Sequence, residues 1–200
     1  MAGFVLAIDQ GTTGSTVALM DDRGTVRAAV NNEFPQIYPR PGWVEHNPAD
    51  IWASVEKGIA GILRKRICKA SDIAAIGITN QRETSLLWDR QSGDALNNAI
   101  VWQCRRTTDF CERLKAAGHE KVVKRKTGLV LDPYFSASKY RWLLKNTSGA
   151  ARLHKAGRIA AGTIDSFLVW RLTGGDSHIS DVSYASRSSL MNLKTGRWDK

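Results

Sequence analysis

Phe4-Val5-Leu6-Ala7-Ile8 is a continuous apolar run that breaks at Asp9-Gln10-Gly11-Thr12-Thr13-Gly14 and is followed by a second run, Val17-Ala18-Leu19-Met20. Short apolar runs bounded by turn residues read as strands, and the glycines let the chain reverse between them. A further turn at Asp21, Asp22 and Gly24 leads into residues 25–34, whose looser alternation still suits a strand. The first 34 residues therefore predict a three-stranded antiparallel meander.

Outward from this meander, residues 35–48 hold four of the five prolines, with Tyr38, Gly42 and Trp43 between them, and predict a shaped loop without regular structure. Asn47-Pro48 reads as a cap followed by a proline at the first helical position. Ile51, Trp52, Val55, Ile59, Ile62 and Leu63 then mark one face of a helix of about five turns. Residues 73–79 are apolar on both faces, as a central strand covered by helices on each side would be. Short strands are expected at 85–88, 99–102 and 158–161, and helices at 107–117, 136–146 and 163–172. The order implies one α/β domain: a mixed sheet flanked by helices, its central strands parallel and its first strands an antiparallel edge.

Composition excludes several classes. With 200 residues, 42% hydrophobic and 24% charged, the chain is neither disordered nor collagen-like. It lacks the roughly 18 uninterrupted apolar residues of a membrane span and has no basic region before its first apolar run, so neither membrane insertion nor secretion is expected. Cys68, Cys104 and Cys111, at spacings of 36 and 7, fit neither a disulfide framework nor a zinc ligand set, and suggest reduced thiols in a cytoplasm. The net charge of +10 is spread, with denser stretches only at Lys121, Lys124, Arg125 and Lys126 and at Arg64, Lys65 and Arg66, both in segments of helical periodicity. Solvated helix faces are expected there rather than a nucleic-acid footprint.

Three constellations could carry chemistry. In the first, Gly11 and Gly14 permit a tight turn whose N–H groups point inward, the adjacent Thr12 and Thr13 add hydroxyls for phosphate oxygens, and Asp9 at a strand's carboxyl end could hold magnesium through water. An ordinary hairpin turn uses the same residue types. The second is Asn80-Gln81-Arg82-Glu83-Thr84 at the end of an apolar strand, where ligands of open α/β sheets bind. There Arg82 can donate a fork of N–H groups and Glu83 can accept from neighbouring hydroxyls, although a surface Arg-Glu pair would look alike. In the third, Trp102 offers an apolar wall and Tyr134 a hydroxyl on a rigid ring. No Gly-x-Ser-x-Gly, phosphate-loop Gly-x-x-x-x-Gly-Lys-Ser/Thr or dinucleotide Gly-x-Gly-x-x-Gly pattern occurs, so no hydrolase triad is assigned and nucleotide binding would need another fold.

Taken together, Asp9-Gln10-Gly11-Thr12-Thr13, Pro41-Gly42-Trp43-Val44-Glu45-His46, Gly77-Ile78-Thr79-Asn80-Gln81-Arg82-Glu83-Thr84, Trp102-Gln103-Cys104-Arg105-Arg106 and Asp132-Pro133-Tyr134-Phe135-Ser136 resemble the FGGY carbohydrate kinase family, nearest to its glycerol-phosphorylating members. The resemblance implies an actin-like, ribonuclease-H-like ATPase fold using ATP and Mg2+. It sets Gly11, Thr12, Thr13, Gly14 and Ser15 at the ATP phosphates, Asp9 near the metal as a catalytic group, and Arg82, Glu83, Trp102 and Tyr134 around a small polyol such as glycerol. It also implies that residues 1–200 are the N-terminal, substrate-binding domain of a longer, homo-oligomeric enzyme. The catalytic base and the second, nucleotide-binding domain would then lie beyond Lys200, and the piece would be inactive alone. The abrupt finish at Arg197-Trp198-Asp199-Lys200 agrees with truncation. One departure is Thr16, where relatives commonly carry an arginine near the phosphates. Other sugars or polyols (xylulose, ribulose, gluconate, erythritol) stay open as substrates. So do a two-metal nuclease built on Asp9, Glu83 and Asp165, and a non-catalytic binding module. Neither nucleic acid nor a membrane is the expected partner.

Overall fold

A computed structural model describes residues 3–199. In chain order the elements are strands β1 (Phe4–Gln10), β2 (Gly14–Met20), β3 (Val26–Glu33) and β4 (Glu45–His46), helix α1 (Pro48–Arg64), and strands β5 (Ile73–Asn80), β6 (Ser85–Asp89) and β7 (Ala99–Ile100). Helices α2 (Thr108–Ala116), α3 (Glu120–Thr127), α4 (Ser136–Asn146) and α5 (Ala150–Lys155) follow, then β8 (Ile159–Thr163), α6 (Ile164–Leu172), α7 (Val182–Ala185), β9 (Met191–Asn192) and β10 (Arg197–Trp198). They form two compact units. One comprises the chain up to Gln36 with Asn47–Gln81, the other Ile37–His46 with the chain from Arg82 onward.

The first unit is the expected meander completed by one parallel strand. β1 pairs antiparallel with β2, β2 antiparallel with β3, and β1 parallel with β5, giving the order β3-β2-β1-β5. Helix α1 begins as its sequence requires: Asn47 Oδ1 accepts from the Ala49 N–H at 3.0 Å and Pro48 takes the first turn, where a missing N–H costs nothing. Its buried face, Ile51, Val55 and Ile62, covers Val17 and Leu19. Gly58 permits that approach, since a Cβ there would lie 2.4 Å from Val17 Cγ2.

Strand β5 corrects one expectation. It is the edge of this sheet, and Ala74, Ala75, Ile76, Gly77 and Thr79 are exposed rather than covered on both faces. Helix α1 lies over β2 and β3, and among the described residues no second layer of this unit reaches β5.

The second unit contains a separate four-stranded antiparallel sheet, β4-β7-β6-β8, where the sequence suggested continuation of the first sheet. Strands of two to five residues joined by tight turns pair antiparallel more readily than through long crossovers. The proline-rich loop is also not wholly irregular, because β4 is within it and Ile37 bridges Glu45. Every residue of β6 is buried. Its Trp88 meets Phe167 and His178 edge-on at centroid distances of 5.6 and 5.0 Å. Leu87, Ile100, Cys104 and Leu143 form a core against Trp43 and Trp142. Arg106 lies between those two indoles, 3.9 and 4.7 Å from their centroids, and pairs with Glu45 at 2.7 Å. All three cysteines are free, and burial raises the pKa of the Cys111 thiol. No helix among the described residues is long and apolar enough to cross a membrane.

Candidate functional site

In the first unit, the turn between β1 and β2 is built from backbone. Its four carbonyls already accept hydrogen bonds: that of Gly11 from Gln10 Nε2 (2.6 Å), Thr12 from Gln36 Nε2 (3.0 Å), Thr13 from the Phe34 N–H (3.2 Å) and Gly14 from the Gly11 N–H (2.8 Å). Gln81 reinforces the base, donating its backbone N–H to the Gln10 carbonyl at 2.7 Å and Nε2 to Gln10 Oε1 at 3.2 Å. With its acceptors engaged inside the protein, such a turn is chemically suited to an anion rather than a cation. Gly14 is required for packing, because a Cβ there would approach the Asn32 carbonyl oxygen to 2.8 Å.

The side chains around this turn divide. Asp9 and Thr13 are exposed, and Thr12 is half-buried. Asp9, a single exposed carboxylate at a strand's carboxyl end, has the chemistry to hold a hydrated divalent cation. Ser15 is different: its hydroxyl is buried at 2.7 Å from Ser54 Oγ, which itself donates to the Ile51 carbonyl, so it anchors helix α1. Asn80 and Gln81 are likewise buried, and they brace the backbone here.

The second unit gathers a cluster of side chains around Glu83. Glu83 is 2% exposed and has φ of 63°, a left-handed conformation that a residue with a Cβ adopts only when its surroundings enforce it. The enforcing groups are visible: Ser85 Oγ and Ser136 Oγ both donate to the Glu83 carbonyl, at 3.0 and 3.1 Å. Burial, and then the charge of Asp165, push the Tyr140 pKa up. Thr84 accepts from the Trp102 N–H at 3.3 Å. Asp132 Oδ1 accepts from the Tyr134 N–H at 2.8 Å, and Trp102 and Tyr134 meet edge-on at 5.5 Å. Arg82 is exposed and has no ion-pair partner among the described residues.

Two members of this cluster escaped the sequence reading. Arg187 donates from Nε to Glu83 Oε1 at 2.6 Å, and its guanidinium carbon lies 5.7 Å from the Tyr134 ring and 5.0 Å from that of Phe135. Burial lowers the Arg187 pKa, but the hydrogen bond and charge of Glu83 outweigh it and the net shift is upward. Lys139 is fully buried and donates from Nζ to the carbonyls of Tyr134 and Phe135. Burial pushes its pKa down to about 7 against the pull of Glu83. A signal existed for Lys139, which shares a helix face with Ser136 and Leu143 by three- and four-residue spacing. Arg187 is 104 residues from its partner and gave none.

The carboxylates do not suit a two-metal nuclease. Glu83 is paired with Arg187, and Asp165 accepts from the Thr163 and Ser180 hydroxyls. Among the described residues no three His, Cys, Asp or Glu side chains cluster for a metal.

The family model for the N-terminal domain of the FGGY carbohydrate kinases matches residues 4–200. A glycerol kinase of Bdellovibrio bacteriovorus is 56% identical over 200 residues, covering 100% of this chain and 40% of that protein. The crystal structure of Plasmodium falciparum glycerol kinase with ADP superposes with a TM-score of 0.93 at 33% identity, covering 100% of this chain and 40% of that one. The gluconate kinase of Lactobacillus acidophilus gives 0.86 at 26% identity, covering 100% and 38%. The chain thus spans about 40% of the length of these relatives, and its fold is the actin-like, ribonuclease-H-like one that they share. With the match running through both the turn and the cluster, the chain belongs to the FGGY family of carbohydrate kinases, as their N-terminal domain.

Proposed function

We propose that this chain is the substrate-binding N-terminal domain of an ATP-dependent glycerol kinase, a phosphotransferase with an alcohol as acceptor. The observation that carries the reading is the buried, arginine-paired Glu83 beside the Trp102–Tyr134 ring pair. A short triol presents hydroxyls on one side and a carbon edge on the other, matching one fixed acceptor and an apolar wall. Arg82, exposed and without an ion-pair partner among the described residues, supplies donors to a second hydroxyl. The turn formed by Gly11, Thr12, Thr13 and Gly14 would orient the nucleotide phosphates, Asp9 is the residue that would hold magnesium, and Ser15 contributes through the packing of α1 rather than through its hydroxyl. When bound, magnesium would offset charge on the phosphates. In the reaction, the acceptor hydroxyl oxygen bonds the terminal phosphorus of ATP as the bond to the bridging oxygen of ADP breaks, and the hydroxyl proton passes to a base. By the family resemblance that base is an aspartate of the remaining chain, so residues 1–200 alone would bind without turning over. Cytoplasmic location and homo-oligomerisation of the whole enzyme belong to the same reading.

A second reading, phosphorylation of another polyol or sugar acid, has the likeness to gluconate kinase in its favour. Thermal unfolding with millimolar glycerol, xylulose or gluconate separates the two. Ligand at a hundredfold excess over Kd stabilises by roughly 2.7 kcal/mol. Glycerol alone should raise the midpoint, and Glu83→Gln should abolish the rise. A shift with xylulose or gluconate and none with glycerol would transfer the assignment.

A further inference from the structure

Arg187 is held in place independently of its ion pair. It follows the short helix α7, where its own N–H donates to the Tyr184 carbonyl at 2.9 Å. The next residue, Ser188, is buried, and its carbonyl accepts from the Ala137 N–H in the first turn of α4 at 2.8 Å. The same turn of α4 supplies Ser136 to the Glu83 carbonyl and Lys139 to the Tyr134 and Phe135 carbonyls. One short stretch of α4 therefore fixes the backbone of Glu83, the backbone of Tyr134 and the segment that carries Arg187.

The guanidinium takes only one oxygen of the carboxylate. Nε donates to Oε1, while Oε2 receives none of the described hydrogen bonds. A buried carboxylate with one oxygen occupied is a more selective acceptor than a free one, because rotation cannot exchange its two oxygens without breaking the charge-assisted bond. We propose that Arg187 is a positioning residue that sets hydroxyl specificity at the polyol site: it locks Oε1 of Glu83 and leaves Oε2 as the single acceptor for a substrate hydroxyl. This rests on the polyol reading above.

The test compares calorimetric Kd values of glycerol, 1,2-propanediol and 1,3-propanediol for the wild-type chain, Arg187→Ala, Arg187→Gln and Arg187→Lys, with unfolding midpoints as controls. Wild type should favour glycerol over at least one diol by tenfold or more. Arg187→Ala and Arg187→Gln should reduce that ratio severalfold while remaining folded, and Arg187→Lys should restore part of it. An equal loss of affinity for all three ligands, or an unchanged ratio, overturns the proposal. The carbon-13 signal of the Glu83 carboxyl, assigned with Glu83→Gln, gives a ligand-free readout and should change its chemical shift once Arg187 is replaced. If wild type binds none of the three ligands, the polyol reading falls and the specificity role with it. An unmoved carboxyl signal, by contrast, sinks the positioning role while leaving the polyol reading intact.

Discussion

The turn of the first unit and the Glu83 cluster of the second are built in opposite ways. The turn is made by backbone: Gln10, Gly11, Phe34 and Gln36 occupy its carbonyls, and its glycine at position 14 is demanded by the strand behind it. The cluster is made by side chains collected from positions 83, 102, 134, 139 and 187, with a buried carboxylate paired to an arginine and a buried lysine bonded to backbone carbonyls. A backbone site tolerates side-chain change nearby, as at Thr16. A side-chain site depends on each member, because every removed partner strands a buried charge.

The largest expected effect sharpens this contrast from the cluster side. Lys139 titrates near 7 when folded and near 10.5 when unfolded. Between those values the unfolded chain binds more protons, so stability should rise with pH above 7 and fall as pH drops from 10 toward 7. The slope should be at most about 1.4 kcal/mol per pH unit. Urea unfolding at pH 7, 8, 9 and 10 should show this slope in wild type and its loss in Lys139→Met. A slope shared by both proteins would place its source elsewhere.

The next tests the turn. Gly14→Ala pushes a methyl against the Asn32 carbonyl, 2.8 Å away, and should lower stability by roughly 1–3 kcal/mol. Exposed Thr13→Ala should stay within about 0.5 kcal/mol. Equal effects in chemical denaturation would break the claim that backbone rather than side chains builds this site. The smallest effect is expected from Thr16→Arg. Thr16 accepts from Asn31 Nδ2 at 2.8 Å and is directly across the ladder from Asp9. Losing the first interaction and gaining an opposite charge across the strands should nearly cancel in stability. ATP affinity, measured by calorimetry, should rise about tenfold at most, roughly 1.4 kcal/mol. A larger gain would mean that the turn depends on side-chain charge after all.

Legibility followed the range of the interactions. The meander, the capped start of α1, and α2, α4 and α6 could be read because period, caps and turn residues are local. The exposure of β5 could not, since an apolar run looks the same at the edge of a sheet as at its centre. Nor could the second sheet, whose strands are too short to declare their partners. Of the nominated site residues, Glu83, Trp102 and Tyr134 gather in one side-chain cluster, whereas Ser15, Asn80 and Gln81 proved to be braces.

By itself the sequence determined the family and the types of chemistry available: a glycine-bounded turn that frees backbone donors, and an Arg-Glu pair beside aromatic residues. Those follow from residue type and spacing over a few positions. Tertiary structure alone decided that Glu83 pairs with Arg187 rather than with adjacent Arg82, and that Lys139 is buried beneath Tyr134. A charge buried in a fold takes the partner that packing brings to it, and packing sums contacts across the whole unit rather than along the chain.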